Sequence, residues 1–138
     1  MVTLIVGKKG SGKTKKLIER ANEAVKTSNG NVVVIEKGLK LTYDISHQAR
    51  LVDSDSYSIQ GMDALAGFIS GICAGNYDVT DIFVDSTLKI IGQDMENLKT
   101  FVGRMSKLSE SADTNITLLV SAEKGDLPEG VGELATQI

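Results

Sequence analysis

Residues 7–14 constrain the fold and chemistry of this chain more than any other part of the sequence. They read Gly-Lys-Lys-Gly-Ser-Gly-Lys-Thr and match the pattern G-x-x-x-x-G-K-[ST] at every fixed position. A β-branched apolar run, residues 2–6, precedes them and predicts a buried strand, whereas residues 13–28 carry apolar side chains at helical spacing. Glycines let a loop between a strand and a helix wrap an anion with its backbone N–H groups. The sequence therefore predicts a phosphate-binding loop.

The alternative is a glycine-rich turn that only caps a helix. The phosphate-binding interpretation is favoured because the flanking strand and helix are predicted from periodicity, independently of the motif. The start of the helix adds free N–H groups and the positive end of the helix dipole. Lys13 would bridge the β- and γ-phosphates, and the Thr14 hydroxyl would bind Mg²⁺. The residues predicted to contact the nucleotide are Gly7, Lys8, Lys9, Gly10, Ser11, Gly12, Lys13, Thr14 and Lys15.

A carboxylate at the end of a second buried strand would complete such a magnesium site. The apolar residues 82–84 are followed by Asp85, which we predict to hold Mg²⁺ directly or through water, although an aspartate there could also be a simple turn residue. The catalytic base is less well defined. Besides Lys13, the candidate catalytic residue is Glu36, at the end of the second predicted strand; a solvated strand end is its alternative. Weaker candidates are Asp44 and Glu123 as base and Ser121 as a γ-phosphate sensor.

The order of the predicted elements indicates the fold class. Strand, helix and strand follow one another within the first 36 residues, which is typical of a right-handed parallel unit. Asn29-Gly30 predicts a left-handed helix end. The further predicted helices are 62–73 and 95–108, and the further predicted strands are 31–36, 81–85 and 115–121, with short strands at 49–52, 57–59 and 133–138. We therefore expect one domain, residues 1–138, with a three-layer α/β/α sandwich and a mostly parallel sheet.

Composition excludes several classes of protein. The chain has 138 residues, of which 41% are hydrophobic and 24% charged, as in ordinary globular domains. With one Cys and one His it can form neither an internal disulfide nor a four-ligand zinc site. Its first apolar run is too short for a signal sequence or a membrane span, so we expect a cytoplasmic protein.

Charge is distributed unevenly along the chain. Residues 1–50 contain 10 Lys and Arg against 4 acids, whereas residues 51–138 contain 5 against 14. A basic segment can bind nucleic acid, but the net charge is −3 and there are only six aromatic residues, so we do not expect a nucleic-acid partner. In a homo-oligomer, Arg50 or Arg104 of a neighbouring copy could complete the site; both are otherwise ordinary surface residues.

These motifs resemble the P-loop NTPase superfamily, and in particular its RecA-like and type II thymidine kinase group. The resemblance rests on the loop at 7–14, the Val-Val-Val-Ile-Glu-Lys run at 32–37, Ile45-Ser46-His47, residues 77–85 and residues 118–121. It implies the P-loop NTPase fold, with ATP and Mg²⁺ as ligands. Two departures argue against thymidine phosphorylation. Those kinases carry Asp-Glu where this chain has Asp85-Ser86, and they continue into a zinc-bound lasso that has no counterpart here.

Three functions are consistent with the sequence. The first is an ATP-binding protein that is a slow Mg²⁺-dependent ATPase, because the usual base is missing. The second is a kinase for a small nucleoside-like molecule, with residues 37–60 as a lid. The third is a non-catalytic switch whose bound nucleotide orders residues 37–60. ATP is preferred over GTP because the chain has no Asn-Lys-x-Asp motif; its nearest approach, Asn97-Leu98-Lys99-Thr100, does not match.

Overall fold

The computed structural model describes all of residues 1–138 and contains a six-stranded, wholly parallel sheet with helices on both faces. The strands are β1 (Val2–Gly7), β2 (Asn31–Glu36), β3 (Arg50–Asp53), β4 (Val79–Val84), β5 (Asn115–Ser121) and β6 (Thr136–Gln137). Their order across the sheet is β3-β2-β4-β5-β1-β6. The helices are α1 (Lys13–Thr27), α2 (Met62–Gly75), α3 (Thr87–Ile91), α4 (Met95–Ala112) and α5 (Val131–Leu134).

Each face of the sheet is covered by its own apolar cluster. On one face, α1 and the segment after β2 bury nine residues, among them Leu17, Val34 and Leu41. On the other face, the remaining helices bury 24 residues, with Phe101 as the bulkiest fully buried side chain. Strands covered on both faces explain the continuous apolar runs in the sequence. The expected three-layer α/β/α sandwich is confirmed.

The parallel register brings the polar strand ends to one edge of the sheet. Gly7 at the end of β1 pairs with Ser121 at the end of β5, and Ile35 pairs with Val84 in β2 and β4. The next residues along β2 and β4 are Glu36 and Asp85. Side chains alternate between faces along a strand. Since Val34 and Phe83 face α1, Glu36 and Asp85 project to that same side.

Two short elements differ from the sequence prediction. The strand predicted at 57–59 is wrong: a 3₁₀ turn occupies Ser54–Tyr57, and Ser58 then has a positive φ of 56°. Tyr57 stacks on Phe68 of α2, with ring centroids 6.4 Å apart, so its apolar surface packs without a strand. The short helix α3 was not predicted. At the end of the chain, only Thr136–Gln137 is strand, and α5 occupies the residues before it.

The helix end predicted at Asn29-Gly30 is also wrong in its geometry. Helix α1 ends at Thr27 with Ser28 extended, and neither Asn29 nor Gly30 has a positive φ. Instead, the backbone of Gly30 passes so close to the Asp78 carbonyl oxygen that a Cβ would overlap it. The adjacent Asn31 N–H donates to that same oxygen at 2.6 Å. Glycine is therefore required here for a close approach of two chain segments.

The segment after β2 is fastened by the side chain of Asp53. Its Oδ1 accepts hydrogen bonds from the N–H groups of Gly38 (2.8 Å) and Asp55 (3.0 Å). Chiefly because of the Gly38 N–H, the pKa of Asp53 lies below its ordinary value of 3.8; burial, the second-largest effect, raises it, and Asp55, Ser56 and Lys37 lower it further. A lowered carboxylate pKa adds stability above pH 3.8, and this stability is lost as pH falls through the lowered value.

We accordingly expect Asp53→Asn to lower the melting temperature at neutral pH, and the difference from wild type to shrink as the pH is taken below 3.8. Thermal unfolding measured over a pH series tests this. Asp78→Asn serves as the control, because it removes an exposed carboxylate that makes no hydrogen bond. A difference that stays constant with pH would show that the charge of Asp53 contributes nothing.

Candidate functional site

The loop between β1 and α1 has a backbone shaped to surround an anion. Gly10 and Gly12 have φ values of +84° and +88°, which side chains rarely adopt, and both positions are open to space. Outside the helices and strands, the only backbone N–H in this loop that finds an acceptor is that of Ser11, which bonds the Lys8 oxygen at 3.1 Å. The N–H groups of Lys8, Lys9, Gly10 and Gly12 therefore remain available to a ligand. Such a row of unpaired donors favours phosphate.

Lys13 is the cation at the centre of this loop. Its side chain is buried, with 7% of its surface exposed, and Nζ donates to the Lys8 carbonyl oxygen at 2.8 Å. Burial lowers the pKa of Lys13 below its ordinary value of 10.5, while the nearby negative charge of Asp85 acts in the opposite direction. The ammonium group is thus desolvated and incompletely compensated. An anion bound in the loop would supply the missing negative charge.

Asp85 lies immediately beyond β4, where the sequence predicted a metal ligand. It is 7% exposed, and its N–H donates to the Ile35 oxygen at 2.8 Å, which fixes it to β2. Ser86 Oγ donates to Oδ2 at 2.9 Å, which leaves Oδ1 without a hydrogen bond. Ser86 itself has a left-handed backbone, φ +60°, that turns the chain into α3. One oxygen of Asp85 is therefore oriented by its neighbour and the other is available.

The protein ligands for a magnesium ion would be few. Thr14 is exposed and lines the same cleft as Asp85. No group of three or more His, Cys, Asp or Glu side chains capable of holding a metal is present. This donor set suits Mg²⁺, which takes one or two protein oxygens and completes its shell with water and phosphate. Thr14 and Asp85 thus fit the ion as partners of a bound polyphosphate, without forming a metal cage of their own.

The loop opens into a cleft of about 350 Å³ along the carboxyl edge of the sheet. Lys9, Gly10, Lys13 and Thr14 form one end. Ser121 lies on its floor, as the strand order requires. The residues that sequence reasoning missed line the rest: Ser86, Thr87, Lys89 and Gln93 after β4, and Lys40 and Leu41 after β2. No local motif marks them, because only the strand order brings them to the loop.

Charge in the cleft is strongly unbalanced. Lys9, Lys13, Lys40 and Lys89 line it, against the single carboxylate of Asp85. A cavity of about 500 Å³ elsewhere is larger, but it lies at the other end of β2, beside Asn31 and Phe68, and Arg50 is its only charged residue. Size alone would favour the larger cavity; charge and free N–H donors favour the cleft as the anion site.

Glu36 has a structural role that is evident from its contacts. The side chain is fully buried, and Oε1 accepts the N–H groups of Lys40 (2.8 Å) and Leu41 (3.1 Å). Oε2 is buried without any partner. Glu36 does not line the cleft. It therefore holds the backbone that carries Lys40 to the cleft, and keeps one carboxylate oxygen free.

The other candidate residues are distributed more widely. Lys8 forms an exposed ion pair with Glu123 at 2.5 Å and does not line the cleft. Asp44 is exposed, and its backbone oxygen accepts from Asn22. Lys15 is exposed on α1. Arg104 pairs with Asp63, and Arg50 contacts the Tyr57 hydroxyl; neither arginine lines the cleft.

No protein-family model matches the chain, and no curated protein matches it significantly. None of its helices combines the length and the apolar character that crossing a membrane requires. The case for a function therefore rests on the geometry and charge of the cleft.

Proposed function

We propose that this protein binds a nucleoside triphosphate, with ATP preferred, as its Mg²⁺ complex, and hydrolyses it slowly. The observation that carries the proposal is the loop itself, which leaves the N–H groups of residues 8–10 and 12 unpaired and contains the desolvated ammonium of Lys13 at the start of α1. Backbone donors, a helix N-terminus and a poorly compensated cation all favour the same kind of ligand, a polyphosphate.

Each residue near the loop has a role in this proposal. Lys13 would exchange its bond to the Lys8 oxygen for phosphate oxygens, and Thr14 and Asp85 would hold Mg²⁺. The ion would offset phosphate charge. Ser86 occupies the place next to Asp85 where related enzymes carry a carboxylate, so no acid on β4 activates water. A site that positions the phosphates but lacks a strong base is expected to turn over slowly.

Binding of ATP and its Mg²⁺ dependence test the proposal directly. We expect wild type to bind ATP and to release phosphate slowly when Mg²⁺ is present. Asp85→Asn should lose the Mg²⁺ dependence and reduce phosphate release by about 10²-fold, since a charged metal ligand is removed. Asp78→Asn, exposed and distant from the cleft, is the matched control. If wild type binds no nucleoside triphosphate under any of these conditions, the proposal fails.

The sequence predicts Glu36 as the base, but its carboxylate is fully buried and does not line the cleft, so we propose that it supports turnover by holding the segment that carries Lys40. Glu36→Gln retains an oxygen that can accept the N–H groups of Lys40 and Leu41 but removes the charge. We expect its phosphate release and ATP affinity to stay close to those of wild type. Asp44→Asn, in the same segment but exposed, should likewise leave turnover unchanged. A fall in phosphate release of about 10²-fold or more in Glu36→Gln alone, with ATP affinity unchanged, would instead identify Glu36 as the base.

A second candidate function, a non-catalytic switch, is favoured by one contact. Glu36 fixes the segment that contributes Lys40 to the cleft, so a ligand that reached Lys40 would contact the segment that Glu36 holds. Nucleotide binding could therefore change the surface formed by residues 37–49. Tight binding of ATP by wild type with no phosphate release would favour this function over hydrolysis.

A further inference from the structure

The cleft contains positively charged side chains in addition to those of the phosphate-binding loop. Lys40 and Lys89, which follow the neighbouring strands β2 and β4, line the cleft, and both side chains are exposed. Neither is among the three ion pairs of the protein, which are Lys8–Glu123, Lys37–Asp55 and Arg104–Asp63. Beyond Asp85 the cleft therefore presents two lysines and no carboxylate.

Strand order separates Lys40 from the loop. The loop follows β1, and Lys40 follows β2; β5 and β4 lie between these strands. With neighbouring strands about 4.8 Å apart, the ends of β1 and β2 are about 14 Å apart. A phosphate surrounded by the loop N–H groups and Lys13 lies at one end of this span. Lys89 belongs to the helix after β4, which neighbours β2 and lies two strands, about 10 Å, from β1. Both lysines therefore follow strands on the side of the cleft away from the loop.

The backbone beneath both lysines is fixed. The N–H of Lys40 bonds to the fully buried Glu36, and Leu41 beside it is buried. Lys89 belongs to α3, whose residues Leu88, Ile90 and Ile91 are buried. Gln93, which follows α3, donates to the Leu88 oxygen at 3.4 Å and lines the same cleft. The backbone positions of these donors therefore need not change when an anion binds, and only the lysine side chains are ordered.

We propose that Lys40, Lys89 and Gln93 form a second anion subsite for a small ligand bearing a phosphate group, bound beside the nucleotide. The inference rests on the proposed function, because it takes the loop to be filled by the nucleotide. The subsite would hold a phosphoryl group with two ammonium groups and an amide. Two ligands could supply that phosphoryl group: a separate phosphate-bearing ligand, to which the proposal commits, and the nucleotide itself through its terminal phosphate.

Inorganic phosphate is the probe. The full-length protein is first saturated with Mg²⁺ and ADP, which fills the loop, and phosphate is then titrated by calorimetry at fixed ionic strength. We expect wild type to bind phosphate, and Lys40→Ala and Lys89→Ala each to weaken that binding by about tenfold, with ADP affinity unchanged. Lys107→Ala removes an equal charge from the exposed surface of α4 and should have no effect.

Other results would overturn the inference. Phosphate affinities that match wild type in both variants show that the lysines bind no second anion. A fall in ATP affinity relative to ADP in either variant assigns the lysines to the nucleotide's terminal phosphate, whether or not phosphate binds to the ADP complex, and overturns a separate ligand.

Failure of the nucleotide proposal itself would be recognised separately. If wild type binds no ADP, the loop is not a nucleotide site. The same phosphate titration without ADP then tests whether the lysines bind phosphate. Phosphate binding that is lost in Lys40→Ala and Lys89→Ala but retained in Lys13→Ala would still support it. Binding lost only in Lys13→Ala would overturn it.

Discussion

Replacing Lys13 with alanine is expected to reduce ATP affinity and phosphate release by about 10²–10³-fold, the usual cost of removing one pre-positioned donor. The ammonium group is buried at the centre of the loop and is bonded only to the Lys8 oxygen. Burial already lowers its pKa, so its charge is costly in the ligand-free protein. We therefore expect the variant to fold with undiminished stability.

Affinity by calorimetry and phosphate release at saturating ATP separate the two effects. The matched control is Lys16→Ala, one turn along α1, where the side chain is exposed and pairs with no acid. A loss in Lys13→Ala that Lys16→Ala shares would reflect net charge and would argue against a specific role. An unchanged affinity in Lys13→Ala would remove the basis of the nucleotide proposal.

Replacing Gly30 with alanine is expected to destabilise the fold by about 1–3 kcal/mol, the range for forcing extra volume into a packed region. The added Cβ would overlap the Asp78 carbonyl oxygen and approach Thr80 Cγ2 at 2.8 Å. A backbone oxygen cannot rotate away as a side chain can. The strain would fall on the Asn31–Asp78 hydrogen bond, at the start of the β2–β4 pairing.

Chemical denaturation of Gly30→Ala and Gly67→Ala tests this explanation. Gly67 is an exposed residue within α2, where a Cβ meets nothing within 4 Å. Alanine there should stabilise the protein by about 1 kcal/mol, because glycine is a poor helix former. The two substitutions add the same methyl group and are expected to have opposite signs. Equal effects would show that the close approach at Gly30 is unimportant.

The elements that sequence reasoning found well are those with a strong hydrophobic pattern. Strands β2 and β5 have the predicted limits, and α1 ends one residue before its prediction. In each, the spacing of apolar residues follows from burial against the sheet, so the sequence pattern reflects the packing directly. The loop at 7–14 could be proposed from the sequence because the roles proposed for its glycines and Lys13 lie within eight consecutive residues.

What sequence reasoning missed depends on contacts between distant residues. Tyr57 was assigned to a strand, because its packing against Phe68 cannot be distinguished locally from packing in a sheet. Helix α3 has five residues, too few to show a helical period. Lys40 and Lys89 resemble any solvated lysine until β2 and β4 are placed side by side. The residues of a site formed by several strands can be identified only once the strand order is known.

The position of β1 in the sheet also determines when the loop can form. Its partners are β5 and β6, and its first pair joins Val2 to Ile116. Pairing of strands so distant in sequence is slow, because the intervening chain must be ordered first. While β5 and β6 are unstructured, β1 has no neighbouring strand in the sheet. The strand β1 and the loop after it are therefore among the last parts of the sheet to acquire their structure, and the proposed nucleotide site forms only when folding is nearly complete.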